Sequence, residues 1–264
     1  MDGTLTRPRQ KIDRQMITLL RELSKHCLIG VVSGSPLEYI EEQIKKLWNS
    51  SRSCNPHSVM LLPCNGTQLL IFDSVKQQYQ IEYELDMKEH MCQEEGKRKY
   101  QELIGHLLEL QLEFMSEYDF PALTGNFVSY RKSMINWSPV GRDAKEAERD
   151  AFVKLDTEEM IRERLCESLR VRLDASALCD LDLNLGGSTS IDIHPIGWDK
   201  THALRHTGDR RVWFVGDKCT PGGNDHSLWS QLSTAGRGFN STGPEETRRI
   251  VQEIILPDIQ RSVT

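Results

Sequence analysis

Residues 28–35 read LIGVVSGS, an apolar run closed by a small-residue turn, and this stretch decides the fold. A short apolar run bounded by a turn signal is a strand buried on both faces, the kind that parallel sheets use. Before it, Ile12, Met16, Leu19 and Leu20 recur at helical spacing between Lys11 and about Arg21. The order is therefore helix, buried strand, glycine turn. After it come a helical stretch with Ile40 and Ile44, a polar loop from Asn49 to Asn55, and a second buried run, Val59 to Leu62, closing on Pro63-Cys64-Asn65-Gly66. Such alternation means a parallel sheet wrapped by helices.

From roughly Glu82 to Ile193 the style changes to long charged helical stretches and alternating strands, such as Asn126 to Met134 and Leu181 to Leu185. That is the pattern of an open-faced α+β insertion. The helical stretch Asp199 to Arg205 and the run Val212-Trp213-Phe214-Val215, ending in Gly216-Asp217, return to the first style. The expected organisation is a core built from 1–81 and 194–264, with an inserted domain at 82–193. The charged run Gln93 to Lys97 reads as a solvated helix end, and the polar end after Pro257 as a frayed terminus.

Composition bounds the function. The 264 residues, 38% of them hydrophobic, suffice for one generous core or two modest ones. A net charge of −6, from 33 basic and 39 acidic residues, argues against a general nucleic-acid surface. The opening MDGTLTRPRQKIDRQ has no apolar signal region, and no apolar run approaches the ~20 residues that span a bilayer, so a cytoplasmic chain without a membrane partner is expected. Seven cysteines form no CxxC pair and leave an odd count, which suggests reduced thiols and neither a zinc knuckle nor a disulfide framework.

The candidate chemistry lies at strand ends, the rim where open α/β sheets bind ligands. Asp2-Gly3-Thr4, Ser33, Lys200, and Asp217 with Asn224-Asp225 are polar residues at such positions. Hard oxygens for Mg²⁺ could come from Asp2, Asp217 and Asp225, a cation for phosphate from Lys200, and a hydroxyl for the remaining oxygens from Ser33. Any one of these is a common turn motif. The joint order DGT, SGS, Lys200, GDK…GGND across four strand ends is specific, and it resembles the haloacid dehalogenase superfamily.

A closer resemblance lies in GNFVSYRKSMINWSPVGR (125–142), SIDIHPIGWDK (190–200), GDKCTPGGNDH (216–226) and TGPEETRRI (242–250). These are similar, nearly motif for motif, to the eukaryotic phosphomannomutases. The resemblance implies a Rossmann-like α/β core with an inserted α+β cap. It also implies interconversion of mannose 6-phosphate and mannose 1-phosphate, supplying GDP-mannose, with Mg²⁺ and a hexose 1,6-bisphosphate activator. It places substrate contacts at Arg9, Arg131, Arg142, Arg149, Ser190 and Asp192, the acid/base aspartate at Asp2 and the metal aspartate at Asp217. It further implies hexose phosphate ligands and a homodimer through the cap.

The residues themselves support much of this. Guanidinium forks match phosphate oxygens, and Arg131, Arg142 and Arg149 fall within nineteen residues. Asp143-Ala144-Lys145-Glu146 fits a capping box, which would set Arg149 about two turns beyond Arg142 on a similar face. Ser190 and Asp192 alternate with Ile191 and Ile193, so both point the same way from a strand. His194, His202, His206 and His226 lack metal-ligand spacing and read as packing or surface residues, and Trp198 and Trp213 as core.

The family pattern Asp-x-Asp-Gly-Thr puts Met1 at x and the nucleophile one residue earlier, after a central apolar strand. A chain starting at Met1 is thus expected to lack turnover and to leave two ladders of backbone hydrogen bonds open. Cys64, where the family usually has an acidic residue, and Ser33, where it has glycine, are local departures. Two alternatives stay open: a sugar-phosphate phosphatase of the same superfamily, and a non-catalytic sugar-phosphate binder.

Overall fold

The first helix begins at a cap that its own sequence supplies. In the computed structural model the Asp13 carboxylate accepts from the Met16 N–H at 2.8 Å, and α1 (Arg14–Leu23) follows, burying Met16, Leu19, Leu20 and Leu23. A side-chain acceptor at this position satisfies one of the donors that every helix start leaves open, so the helix begins three residues after Lys11. The structure describes residues 1–50, 53–95, 98–120, 123–176 and 178–263, with the backbone alone at 92–95 and 262–263. Part of the polar loop at Asn49 to Asn55, and the side chains and end of the charged run Gln93 to Lys97, lie outside these.

The chain divides into two units, Met1–Glu84 with Trp198–Thr264, and Leu85–Gly197. In the first, β1 (Ile29–Val32) leads to α2 (Leu37–Ile44) and then to β2 (Val59–Leu62), parallel to β1 with Ile29 opposite Val59. The hairpin of β3 (Gln68–Asp73) and β4 (Gln78–Glu84) completes an antiparallel edge, giving the order β1-β2-β3-β4. Its turn is held by Asp73, whose carboxylate accepts from the N–H groups of Val75 and Lys76 at 2.7 and 3.1 Å.

The second unit contains α3 (Met87–Glu95), α4 (Arg98–Glu117), β5 (Val128–Tyr130), β6 (Ile135–Trp137), α5 (Glu146–Glu159), α6 (Ile161–Ala175), β7 (Leu181–Gly186) and β8 (Ser190–Pro195). Its sheet is antiparallel throughout, in the order β5-β6-β8-β7. Ile135, Trp137, Ile191 and Ile193 are fully buried on one face. The Trp137 indole N–H reaches the Gln111 side-chain oxygen of α4 at 2.9 Å, which ties that face to the helix layer. The expected single strand from Asn126 to Met134 is instead interrupted. Lys132 adopts a left-handed φ of 64° and the Arg131 N–H closes on the Met134 carbonyl at 2.8 Å, so the stretch turns and β6 begins beyond it. The capping box also shifts, since Glu148 accepts from the Lys145 N–H at 2.6 Å and α5 starts at Glu146. Arg142 therefore precedes the helix, and helical periodicity does not relate it to Arg149.

Returning to the first unit, Lys200–His206 forms a 3₁₀ helix rather than an α-helix, capped by Asp199 accepting from the Thr201 N–H at 2.9 Å. Then follow β9 (Phe214–Gly216), α7 (His226–Ser233), β10 (Gly238–Asn240), α8 (Pro244–Ile250) and α9 (Leu256–Val263). The run from Val212 enters the ladder only at Phe214, where β9 pairs parallel with β10. Among the described residues β1 pairs with β2 alone and β9 with β10 alone. Both line a cavity of about 550 Å³ whose other walls include Leu20, Leu23, Leu228 and Ile255. No described helix is long and apolar enough to cross a membrane. None of the six cysteines whose side chains are described is in a disulfide.

Candidate active site

In the first unit the site is built on the Asp2-Gly3-Thr4 turn. The Met1 carbonyl accepts from the Leu5 N–H at 2.8 Å and the Gly3 N–H donates to the Thr6 carbonyl at 2.8 Å. Gly3 sits at φ 77°, and a Cβ there would lie 2.3 Å from Asp217 Oδ2. Glycine is thus required twice over, by the backbone conformation and by the approach of the carboxylate. Thr4 donates its hydroxyl to Asp217 Oδ1 at 2.8 Å, so the turn and the end of β9 hold each other across the chain.

Lys200 and Asp225 form the buried charge pair of this site. Their 2.6 Å contact joins two residues that are 5% and 3% exposed. The other Asp225 oxygen accepts from the N–H groups of Asp217 and Lys218 at 3.1 and 2.9 Å. Burial alone would raise the Asp225 pKa. The Lys200 charge, the Met1 ammonium and the hydrogen bonds outweigh it and hold the carboxyl down at about 2. Burial, then the Lys200 charge, push the Met1 amine below its ordinary value against the pull of Asp225, Asp217 and Asp2.

The expected trio of metal carboxylates, Asp2, Asp217 and Asp225, is not assembled as such, and the described residues hold no cluster of three His, Cys, Asp or Glu side chains suited to a metal. The physical reason is that Asp225 is engaged by Lys200 and two amides. Asp2 accepts from the Arg9 N–H at 3.0 Å and lies 3.5 Å from the Thr6 hydroxyl. Asp217 remains as a hard oxygen donor laid against the Gly3 backbone, a donor type that suits Mg²⁺.

Arg9 joins this site through its backbone while its side chain is exposed. Ser33, at the end of β1, accepts through its hydroxyl from the Ser35 N–H at 3.1 Å and through its carbonyl from the Asn65 N–H at 2.8 Å.

Thr4, expected at this rim with Asp2 and Gly3, carries the link to Asp217, and one neighbour, Tyr39, has no signal in the sequence. Tyr39 stands near Asp2, with burial and then the Asp2 charge raising its phenol pKa. Cys64, Asn65 and Gly66 are consecutive left-handed residues at φ 49°, 64° and 84°, and Asn65 Oδ1 is buried without a partner among the described residues. The Asn-Gly dipeptide after a buried run was a signal for that turn, though not for the stranded oxygen.

In the second unit, β5, β6, β8 and β7 place Ser129, Asn136, Asp192 and Asn184 in one row across the sheet. Asn136 donates to Ser190 Oγ at 2.9 Å and to Asp192 Oδ1 at 2.6 Å, and accepts from the Arg142 guanidinium. Arg149 reaches Ser188 Oγ at 3.1 Å. Arg131 lies on the turn between β5 and β6. The structure thus joins Arg142, Ser190 and Asp192 through a residue that no motif singled out. His194 is fully buried, with Nε2 2.8 Å from the Asn184 amide, which is a packing role.

Arrangements of this kind, an aspartate-bearing turn beside a buried lysine–aspartate pair with an inserted α+β unit, define a haloacid dehalogenase-type fold. The chain is similar to a solved IMP-bound IMP-nucleotidase of Plasmodium falciparum, with a TM-score of 0.60 at 12% identity over 97% of this chain and 65% of that one. Sequence comparison is more specific. The family model of eukaryotic phosphomannomutase matches residues 16–257. A phosphomannomutase of Spinacia oleracea is 32% identical over 97% of this chain and 94% of its own length. A probable phosphomannomutase of Caenorhabditis elegans is 33% identical over 97% and 93% respectively. The chain belongs to the eukaryotic phosphomannomutase family.

Proposed function

We propose that the protein interconverts mannose 6-phosphate and mannose 1-phosphate by way of a hexose 1,6-bisphosphate, as a cytoplasmic enzyme feeding GDP-mannose synthesis. The observation that carries this reading is the connected set Thr4–Asp217–Asp225–Lys200 at the Asp2-Gly3-Thr4 turn, in a chain of this family. Phosphoryl transfer needs charge stabilisation around three equatorial oxygens, and Lys200 is a buried, fixed cation suited to it. Asp2 exchanges the proton of the sugar oxygen, oriented by the Arg9 N–H. Asp217, with the Asp2 carbonyl, would hold Mg²⁺, which neutralises developing charge on the phosphoryl group when bound. Ser33 contributes a hydroxyl to a phosphate oxygen.

Arg131, Arg142 and Arg149 hold the phosphate that is not being transferred, and Ser190 and Asp192 bind sugar hydroxyls. Homodimerisation through the inserted unit belongs to the same reading. It is supported by Leu108, Leu112 and Met115, which recur on one side of α4 and stay 52%, 63% and 40% exposed.

The test is ³¹P NMR of mannose 1-phosphate with Mg²⁺ and a hexose 1,6-bisphosphate. It is run on this chain and on one extended before Met1 by an apolar strand ending in aspartate. Mannose 6-phosphate appearing in either supports the mutase. Net release of inorganic phosphate would make the protein a phosphatase, and binding with neither product a non-catalytic sugar-phosphate binder. In the active form, Arg142→Ala is expected to weaken sugar-phosphate binding by roughly 2 to 5 kcal/mol, the range for losing one partner of a desolvated charge pair.

A further inference from the structure

The Arg142 guanidinium and the Asp192 carboxylate lie on either side of one side chain and meet it with opposite charges. Asn136, 2% exposed on β6, offers one acceptor and two donor hydrogens. Its oxygen takes a hydrogen from Arg142, and its amide hydrogens go to Ser190 Oγ and Asp192 Oδ1. A guanidinium cannot accept and an ionised carboxylate cannot donate, so this amide has one satisfactory orientation. On the neighbouring strand, Gly186 stands opposite Ser190 in register. A Cβ at Gly186 would fall 2.7 Å from the carboxylate carbon of Asp192 and within 2.8 Å of both its oxygens. Ser190 donates to the Gly186 carbonyl at 2.7 Å, a contact that a side chain at 186 need not disturb.

We propose that Asn136 and Gly186 are positioning residues for sugar-phosphate recognition by the inserted unit: Asn136 as a neutral spacer that keeps Arg142 from pairing with Asp192, and Gly186 as the gap into which the Asp192 carboxylate leans. The proposal rests on the reading of Arg142, Ser190 and Asp192 as substrate contacts. Without the spacer, guanidinium and carboxylate collapse into a direct ion pair, and each is withdrawn from its own part of the ligand. An aspartate at 136 would set a second carboxylate against Asp192 and would fail for the opposite reason. A methyl group at 186 pushes only the carboxylate, leaving Arg142 in place. The two residues therefore predict different selectivities, which a purely structural role for either would not.

Calorimetric titration of the full chain with mannose 1-phosphate and with inorganic phosphate separates them. Asn136→Ala is expected to lower affinity for both ligands by about tenfold or more, since both halves of the site are disturbed. Gly186→Ala is expected to lower affinity for mannose 1-phosphate about tenfold while leaving inorganic phosphate within about twofold. Equal effects of Gly186→Ala on the two ligands, or unchanged affinities in Asn136→Ala, overturn the proposal. If Asn136→Ala does not fold, Asn136→Ser replaces it under the same criteria. Should the unaltered chain bind neither ligand, the substrate reading of these residues fails, and crystal structures of the variants decide the positioning. Asp192 and Arg142 unmoved in both would refute it, and a direct Arg142–Asp192 contact in Asn136→Ala would sustain it.

Discussion

Each unit sets a cation near a buried aspartate, and they do it in opposite ways. In the first, Lys200 and Asp225 touch directly at 2.6 Å with almost no exposure. In the second, the amide of Asn136 stands between Arg142 and Asp192. A direct buried pair binds two charges to each other, so losing one leaves the other uncompensated. An amide spacer gives each charged group its own charge-assisted hydrogen bond to a neutral partner. Under the roles proposed above, the first is a pair whose loss threatens the fold and the second one whose loss threatens recognition.

The largest expected effect follows from the direct pair. Lys200→Met should destabilise the chain by about 3 to 5 kcal/mol in urea unfolding, because Asp225 stays buried without its partner. Arg142→Ala should cost less, roughly 1 to 3 kcal/mol in the same measurement, for leaving the buried Asn136 oxygen without its donor. Similar losses in the two variants would erase the distinction between the units.

Acid titration sharpens it further. Asp225 is depressed from 3.8 to about 2 in the folded chain, so its contribution is fully present above pH about 4 and disappears as pH falls towards 2. The sign is that of a carboxylate which binds its proton more readily when unfolded. The component lost amounts to about 2 kcal/mol, from ~1.4 kcal/mol per pH unit. It should be visible as a falling melting temperature in that window, and it should be missing in the Lys200→Met chain. A slope unchanged in the variant would assign the acid sensitivity elsewhere.

The smallest effect compares two left-handed glycines. Gly3→Ala meets both strain at φ 77° and the Asp217 carboxylate at 2.3 Å, whereas Gly187→Ala, at φ 55° in the second unit, meets no atom within 4 Å. Strain alone costs roughly 1 to 2 kcal/mol, so Gly187→Ala should lose about that and Gly3→Ala measurably more. Equal losses by thermal denaturation would mean that Asp217 yields freely.

How much of this could be read in the residues follows from the range of the forces involved. The runs at β1 and β2 and the alternation of Ser190 and Asp192 were legible because burial imposes a period on the chain. The break at Lys132 was not, since a lysine in left-handed conformation carries no turn signal of its own and is held there by the Arg131–Met134 closure. Asn136 was hidden for a different reason. Between Ile135 and Trp137 it looks like a polar residue on the open side of a strand, and its importance comes from partners six and more than fifty residues away. The Asp225 carboxylate is visible in the sequence, but the hydrogens that meet its oxygens, from Lys200 and the amides of Asp217 and Lys218, are not.

The cavity beside β1 and β9 has a consequence for how solvent isotope would enter the molecule. A strand paired on both sides keeps its amide hydrogens, and β2 is such a strand, lying between β1 and β3. Among the described residues β1 pairs with β2 alone and β9 with β10 alone, so each has one edge that no described strand covers. Deuterium would therefore enter β1 and β9 ahead of β2.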